Sequence, residues 1–179
     1  AAVAEITSAV RIPVLVMSYW NPIMQYGVDK LARELQAAGG AGLITPDLIP
    51  DEAKDWLSTS SELGLDRVFL IAPTSSAARV AQASAASQGF VYAVSTMGIT
   101  GAREEVDSLA RGVVAALKQK NPDQLACVGI GVSTAAQVRE VNSYADGAIV
   151  GSAFVKAYQD SGLSGLAAKV KEIAEGKQR

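Results

Sequence analysis

Short, unbroken apolar runs recur along this chain at the spacing of one strand-and-helix unit, and no other feature constrains the fold as much. Val14–Ser18, Gly42–Thr45, Val68–Ala72, Phe90–Val94, Ala126–Val128 and Ala148–Val150 read as six strands. Between them, apolar residues return at helical spacing: Val28, Leu31 and Leu35; Ala53, Trp56 and Leu57; Val80 and Ala83; Val106, Leu109, Val113 and Leu117; Val138 and Val141. Strands that are apolar throughout, not at every second residue, belong to a parallel sheet covered on both faces, so the class is α/β. No linker interrupts the alternation, which gives one domain over residues 1–179. A closed (β/α)8 barrel needs eight units. Six units behind a leading helical segment, Ala1–Val10, match a barrel of that kind with its first two units missing.

Composition removes several functions. Sixteen Lys and Arg stand against 18 Asp and Glu, with no basic run, so nucleic acid is not an expected partner. The apolar runs fall far short of the ~20 residues a membrane helix needs, and residues 1–10 lack the basic start of a signal peptide, which points to a cytoplasmic chain without membrane contact. The chain has no histidine, which rules out Ser-His-Asp and Cys-His catalysis and the ordinary zinc sites, so no metal is expected. The single cysteine, Cys127, lies in an apolar strand and reads as a buried thiol without chemical duty.

The polar and glycine residues collect after the strands, on the rim where barrel active sites lie. From Cys127 to Tyr158 the pattern runs strand, glycine turn, helix, strand, glycine turn and short helix, with Gly131 in the first turn and Gly151 and Ser152 in the second. Glycines let a backbone approach an anion closely, and the amides of a helix start supply partial positive charge without Lys or Arg. The helix after Ser152 breaks at Gly162 into Ser152–Tyr158 and Gly165–Ala174, matching the short extra helix that follows a barrel phosphate site. A dinucleotide fingerprint is the rival: Gly129, Ile130 and Gly131 begin one, but Thr134 replaces its third glycine and Asp146 lies at the wrong end of the next strand. A purely structural role for the glycines also remains open. Ser95–Arg103 is long and glycine-rich for its place and reads as a lid.

Five segments carry a resemblance: Met17-Ser18-Tyr19-Trp20-Asn21-Pro22, Thr45-Pro46-Asp47-Leu48-Ile49-Pro50-Asp51-Glu52-Ala53, Ser95-Thr96-Met97-Gly98-Ile99-Thr100-Gly101-Ala102, Gly129-Ile130-Gly131-Val132-Ser133 and Val150-Gly151-Ser152-Ala153. In this order they resemble the tryptophan synthase alpha subunit family over nearly the whole chain. The resemblance implies a (β/α)8 TIM barrel present here as its third to eighth units. It implies a lyase of tryptophan biosynthesis that cleaves indole-3-glycerol phosphate to indole and glyceraldehyde 3-phosphate. It also implies a pyridoxal-phosphate beta subunit as partner in an alpha2beta2 complex, and no cofactor on the alpha subunit itself. By matching position, Gly101, Gly131, Gly151 and Ser152 form the phosphate cradle, Tyr19, Phe90, Tyr92 and Thr100 meet the substrate, and Asp47 lies near the subunit interface and Tyr19. Tyr92 has a second reading as a core aromatic, and Asp47 as a helix cap or turn residue before Pro50. The family's general acid and base, a glutamate ending the second strand and an aspartate in the loop after it, precede every segment matched here. No catalytic residue is therefore assigned within the chain, and impaired turnover is expected of it. Two alternatives stand beside this one: another phosphate-binding barrel enzyme of aromatic or histidine biosynthesis, and a non-catalytic phosphate-binding barrel fragment.

Overall fold

The computed structural model describes residues 1–94, 103–129 and 131–177, with residues 103–108 as helical backbone only. In chain order the elements are α1 (Ala2–Ala9), β1 (Leu15–Met17), α2 (Trp20–Tyr26), α3 (Val28–Ala37), β2 (Gly42–Ile44), a 3-10 turn at Pro50–Glu52, α4 (Lys54–Leu63), β3 (Asp66–Val68), β4 (Leu70–Ile71), α5 (Ala77–Ala86), β5 (Val91–Val94), α6 (Arg103–Lys120), β6 (Ala126–Gly129), α7 (Ala135–Val141), β7 (Gly147–Ala148) and α8 (Ser152–Ala174). They divide into two compact units, residues 1–70 with 78–91, and residues 71–77 with 92–179.

In the first unit β1, β2 and β3 form a parallel sheet in that order, with Val16 beside Leu43 and Leu43 beside Arg67. Leu43 and Val68 are buried, and so are Ala32 and Leu35 on α3 and Trp56 on α4. Strands apolar throughout have to be covered, and the buried side chains of α3 and α4 belong to that core, although Met17 at the end of β1 is 55% exposed. Two features depart from the sequence expectation. The run Val68–Ala72 is not one strand: Asp66–Val68 belongs to the first sheet and Leu70–Ile71 to the second. The break falls at Phe69, whose amide donates to the Ser87 hydroxyl at 3.2 Å. The connection after β1 also carries an extra helix, α2, which ends at Gly27.

The second unit contributes to a four-stranded sheet ordered β4-β5-β6-β7. Its last two strands are parallel, with Cys127 beside Gly147 and Val128 beside Ala148. The final strand lies slightly earlier than the apolar run Ala148–Val150, because Asp146 begins the pairing by donating its amide to the Ala126 carbonyl at 2.9 Å. On α6, Val113, Val114 and Leu117 are buried, whereas Leu109, which the helical spacing placed on the core stripe, is half exposed. The break in α8 is present, with non-helical backbone at Ser161 and Gly162. Among the described residues no helix is long and apolar enough to cross a membrane.

Candidate functional site

In the second unit two turns leave neighbouring parallel strands at their carboxyl ends: Gly131 follows β6, and Gly151 and Ser152 follow β7. These three expected phosphate residues therefore share one rim. Gly131 has φ +89°, a backbone region that disfavours any side chain. The two helix starts differ. At α7, Thr134 and Gln137 form a complete capping box, in which Thr134 Oγ1 accepts from the Gln137 amide at 3.2 Å. Gln137 Oε1 in turn accepts from the Thr134 amide at 3.1 Å, the Ser133 amide at 2.8 Å and the Ser133 hydroxyl at 3.1 Å. At α8 the cap position is Gly151, and no side chain meets the first amides. A helix start without a side-chain cap retains donors and the positive end of its dipole, which suits an anion.

Gly129 has a different reason to be glycine. A Cβ placed there would lie 2.1 Å from the Tyr92 hydroxyl oxygen, so the glycine makes room for the tyrosine ring at the end of β6. Tyr92 is 6% exposed, and that burial raises its hydroxyl pKa above the ordinary value. Cys127 is partly buried, and its thiol is pushed up to about 11, by burial first and the Asp146 carboxylate second, which keeps it protonated at neutral pH.

The first unit holds Tyr19, Asp47 and Phe90. Tyr19 is 67% exposed at the cap position of α2. Its side chain does not cap that helix; Asp47 does, from the loop after β2, its two carboxylate oxygens accepting from the Trp20 amide at 2.8 and 3.1 Å. Asp47 is thus a helix cap, but for a helix 27 residues earlier in the chain and not for the turn at Pro50. That loop is held in turn by Asp51, whose carboxylate accepts from Arg79 at 3.0 Å and Gln82 at 3.1 Å. Phe90, expected to open its strand, is half-buried and immediately precedes β5. Thr100 and Gly101 lie outside the described residues, and so does the expected lid Ser95–Arg103 except for Arg103, which opens α6.

Sequence reasoning missed Gln137, although Thr134-x-x-Gln137 carries the capping-box signature in full. The resemblance places Asp47 near Tyr19, but its hydrogen bonds to the amide of the next residue, Trp20, have no local pattern in the sequence.

With this geometry in hand, comparison with known proteins is specific. The family model described as tryptophan synthase alpha chain matches residues 1–178. A tryptophan synthase alpha chain of Leifsonia xyli is 60% identical over 179 residues, all of this chain and 68% of that one. One of Mycobacterium marinum is 56% identical over 162 residues, 90% of this chain and 60% of that one. Among solved structures, tryptophan synthase of M. tuberculosis in its aminoacrylate-bound form superposes with a TM-score of 0.88 at 46% identity, covering 99% of this chain and 66% of that chain. A structure of the tryptophan synthase a2b2 complex of Pyrococcus furiosus gives 0.86 at 34% identity, covering 96% and 71%. The chain spans about two thirds of the length of these relatives. The superpositions bear out the expected α/β class and the (β/α)8 kind of fold.

Proposed function

Because this chain belongs to the tryptophan synthase alpha chain family, we propose that it serves the family's lyase reaction, cleavage of indole-3-glycerol phosphate to indole and glyceraldehyde 3-phosphate. The observation that carries the proposal is the pair of glycine turns leaving β6 and β7 side by side, Gly131 in one and Gly151 with Ser152 in the other, the second opening a helix without a side-chain cap. In this proposal their backbone amides, with Gly101, hold the substrate phosphate. Tyr19, Phe90, Tyr92 and Thr100 meet the substrate, and Asp47 serves the interface with a beta subunit in an alpha2beta2 complex, with the cytoplasm as the compartment. The six strand-and-helix units stand for the third to eighth of the family barrel, within a single domain.

Cleavage requires a proton delivered to indole C3, the indole N–H held, and the glycerol hydroxyl deprotonated. Each positioned acid or base contributes roughly 10²- to 10⁴-fold. No residue among the 179 is proposed for that proton transfer; the contribution of this stretch is binding and orientation, which convert a bimolecular encounter into a poised complex. The test is an indole-release assay on the full-length protein with and without a beta chain. The expected result is indole formation that is lost with Gly151→Asp, where the new carboxylate meets the phosphate. Absence of indole from the folded full-length protein with a beta chain present would overturn the proposal.

A further inference from the structure

We infer that Gln137 is a positioning residue for the phosphate turn, an inference that rests on the phosphate site proposed above. Its side-chain oxygen collects three donors, the Ser133 amide, the Ser133 hydroxyl and the Thr134 amide. A carbonyl oxygen has two lone pairs, so three donors more than fill it and at least one bond is shared. The Ser133 and Thr134 amides stand at the start of α7, where they would otherwise be open to an anion. Gln137 satisfies them internally. The anion is left with donors on the Gly131 side of the turn and at the uncapped start of α8.

The turn is also held from behind. Val132 is 1% exposed. At Gly176, past the end of α8, an added Cβ would lie 2.4 Å from the Ala135 carbonyl oxygen and 2.7 Å from Val138 Cβ, so the chain presses directly on the first turn of α7. Between Gly131, with φ +89°, and this packed first turn, Ser133 and Thr134 give their amides to Gln137, Ser133 adds its hydroxyl, and Val132 is buried. Preorganisation of this kind spares a ligand the entropy of ordering the loop.

The two halves of the capping box separate positioning from ordinary helix stabilisation. Among the described residues Thr134 Oγ1 accepts from the Gln137 amide, inside the helix, whereas Gln137 Oε1 serves the loop. The experiment is calorimetric titration of the full-length chain with glycerol 3-phosphate, together with melting curves and steady-state kinetics, for Gln137→Ala and Thr134→Ala. Both variants lose a cap and melt lower. Gln137→Ala is expected to weaken glycerol 3-phosphate by about three- to tenfold, as for one lost hydrogen bond, and to raise KM with kcat within about twofold. Thr134→Ala is expected to leave the dissociation constant within about twofold. Should Gln137→Ala not fold, Gln137→Asn, which is too short to reach all three donors, carries the same comparison. Equal weakening by Gln137→Ala and Thr134→Ala, or none by either, overturns the inference and leaves Gln137 a helix cap. If the unsubstituted chain does not bind glycerol 3-phosphate at all, the phosphate site itself falls and this inference with it.

Discussion

Tyr92 and Gly129 occupy one another's space: a Cβ on Gly129 would lie 2.1 Å from the tyrosine hydroxyl oxygen, 2.5 Å from Cζ and 2.8 Å from Cε1. The ring is nearly buried, so it has little room to yield. Gly129→Ala is therefore expected to destabilise the fold by about 1–3 kcal/mol, the usual range for overpacking. Tyr92→Phe does not relieve the clash, because Cζ and Cε1 remain; Tyr92→Ala does. Urea unfolding of the two single variants and the Gly129→Ala, Tyr92→Ala double variant forms a cycle in which the effects are strongly non-additive. The same cost for Gly129→Ala with and without the tyrosine ring would show that the ring is not what the glycine accommodates.

Asp47 ties the loop after β2 to the start of α2 through the Trp20 amide. Removing it leaves that amide at a helix start without a side-chain cap and takes a negative charge from the positive end of the dipole. Asp47→Ala is expected to lower stability by about 0.5–2 kcal/mol, measured as a shift in the urea midpoint at unchanged slope. Asp51→Ala, which frees the same loop from Arg79 and Gln82, acts in the same direction. An unchanged midpoint for Asp47→Ala would mean that water replaces the carboxylate without loss.

Asp146 gives the fold an acid limb. Burial opposes its charge, but Lys118 at 2.7 Å and the Ala126 amide at 2.8 Å outweigh that and lower its pKa below the ordinary value. A carboxyl whose folded pKa is depressed contributes stability that is complete above its unfolded pKa of about 3.9 and is lost as pH falls through the lower folded value. Asp146→Asn is expected to flatten the pH dependence of stability below about pH 4 and, since both partners keep about a third of their side chains in solvent, to cost only about 0.5–1 kcal/mol at neutral pH. Melting temperatures from pH 2 to 7 measure both, and an unchanged acid limb in Asp146→Asn would assign it to other carboxylates.

The parts of the fold that were legible in the sequence are those whose cause is local. Continuous apolar runs mark strands of a covered parallel sheet, and the glycine turn at Gly131, like the break at Gly162, follows from a positive φ that glycine adopts readily. Other features depend on partners distant in the chain. Nothing near Asp47 signals Trp20, and nothing in Val68–Ala72 shows that Phe69 will leave the strand ladder for Ser87. The periodicity that buries Leu117 also places Leu109 on the core stripe, but what covers a helix is decided by its neighbours, and Leu109 is left half exposed. At the site, spacing located the two turns. It could not tell Gly129, a glycine for a tyrosine ring, from Gly131, a glycine for its own backbone angle.

The proposed phosphate site is open to a test independent of turnover. Glycerol 3-phosphate at 100 times its dissociation constant stabilises a folded chain that binds it by about 2.7 kcal/mol, a shift visible in a melting curve. Gly131→Asp is expected to abolish that shift, but by two routes at once, since any side chain at φ +89° strains the turn and a carboxylate also repels the anion. Gly131→Ala separates them: it carries the backbone strain without the charge. If the turn faces the phosphate, Gly131→Ala melts lower yet keeps much of the ligand shift, whereas Gly131→Asp loses it. High salt, which screens the added carboxylate, then restores part of the shift to Gly131→Asp and none to Gly131→Ala. Equal ligand shifts in the two variants at low salt would place the anion away from the β6 turn, and Ser152 at the start of α8 would be the next residue to test.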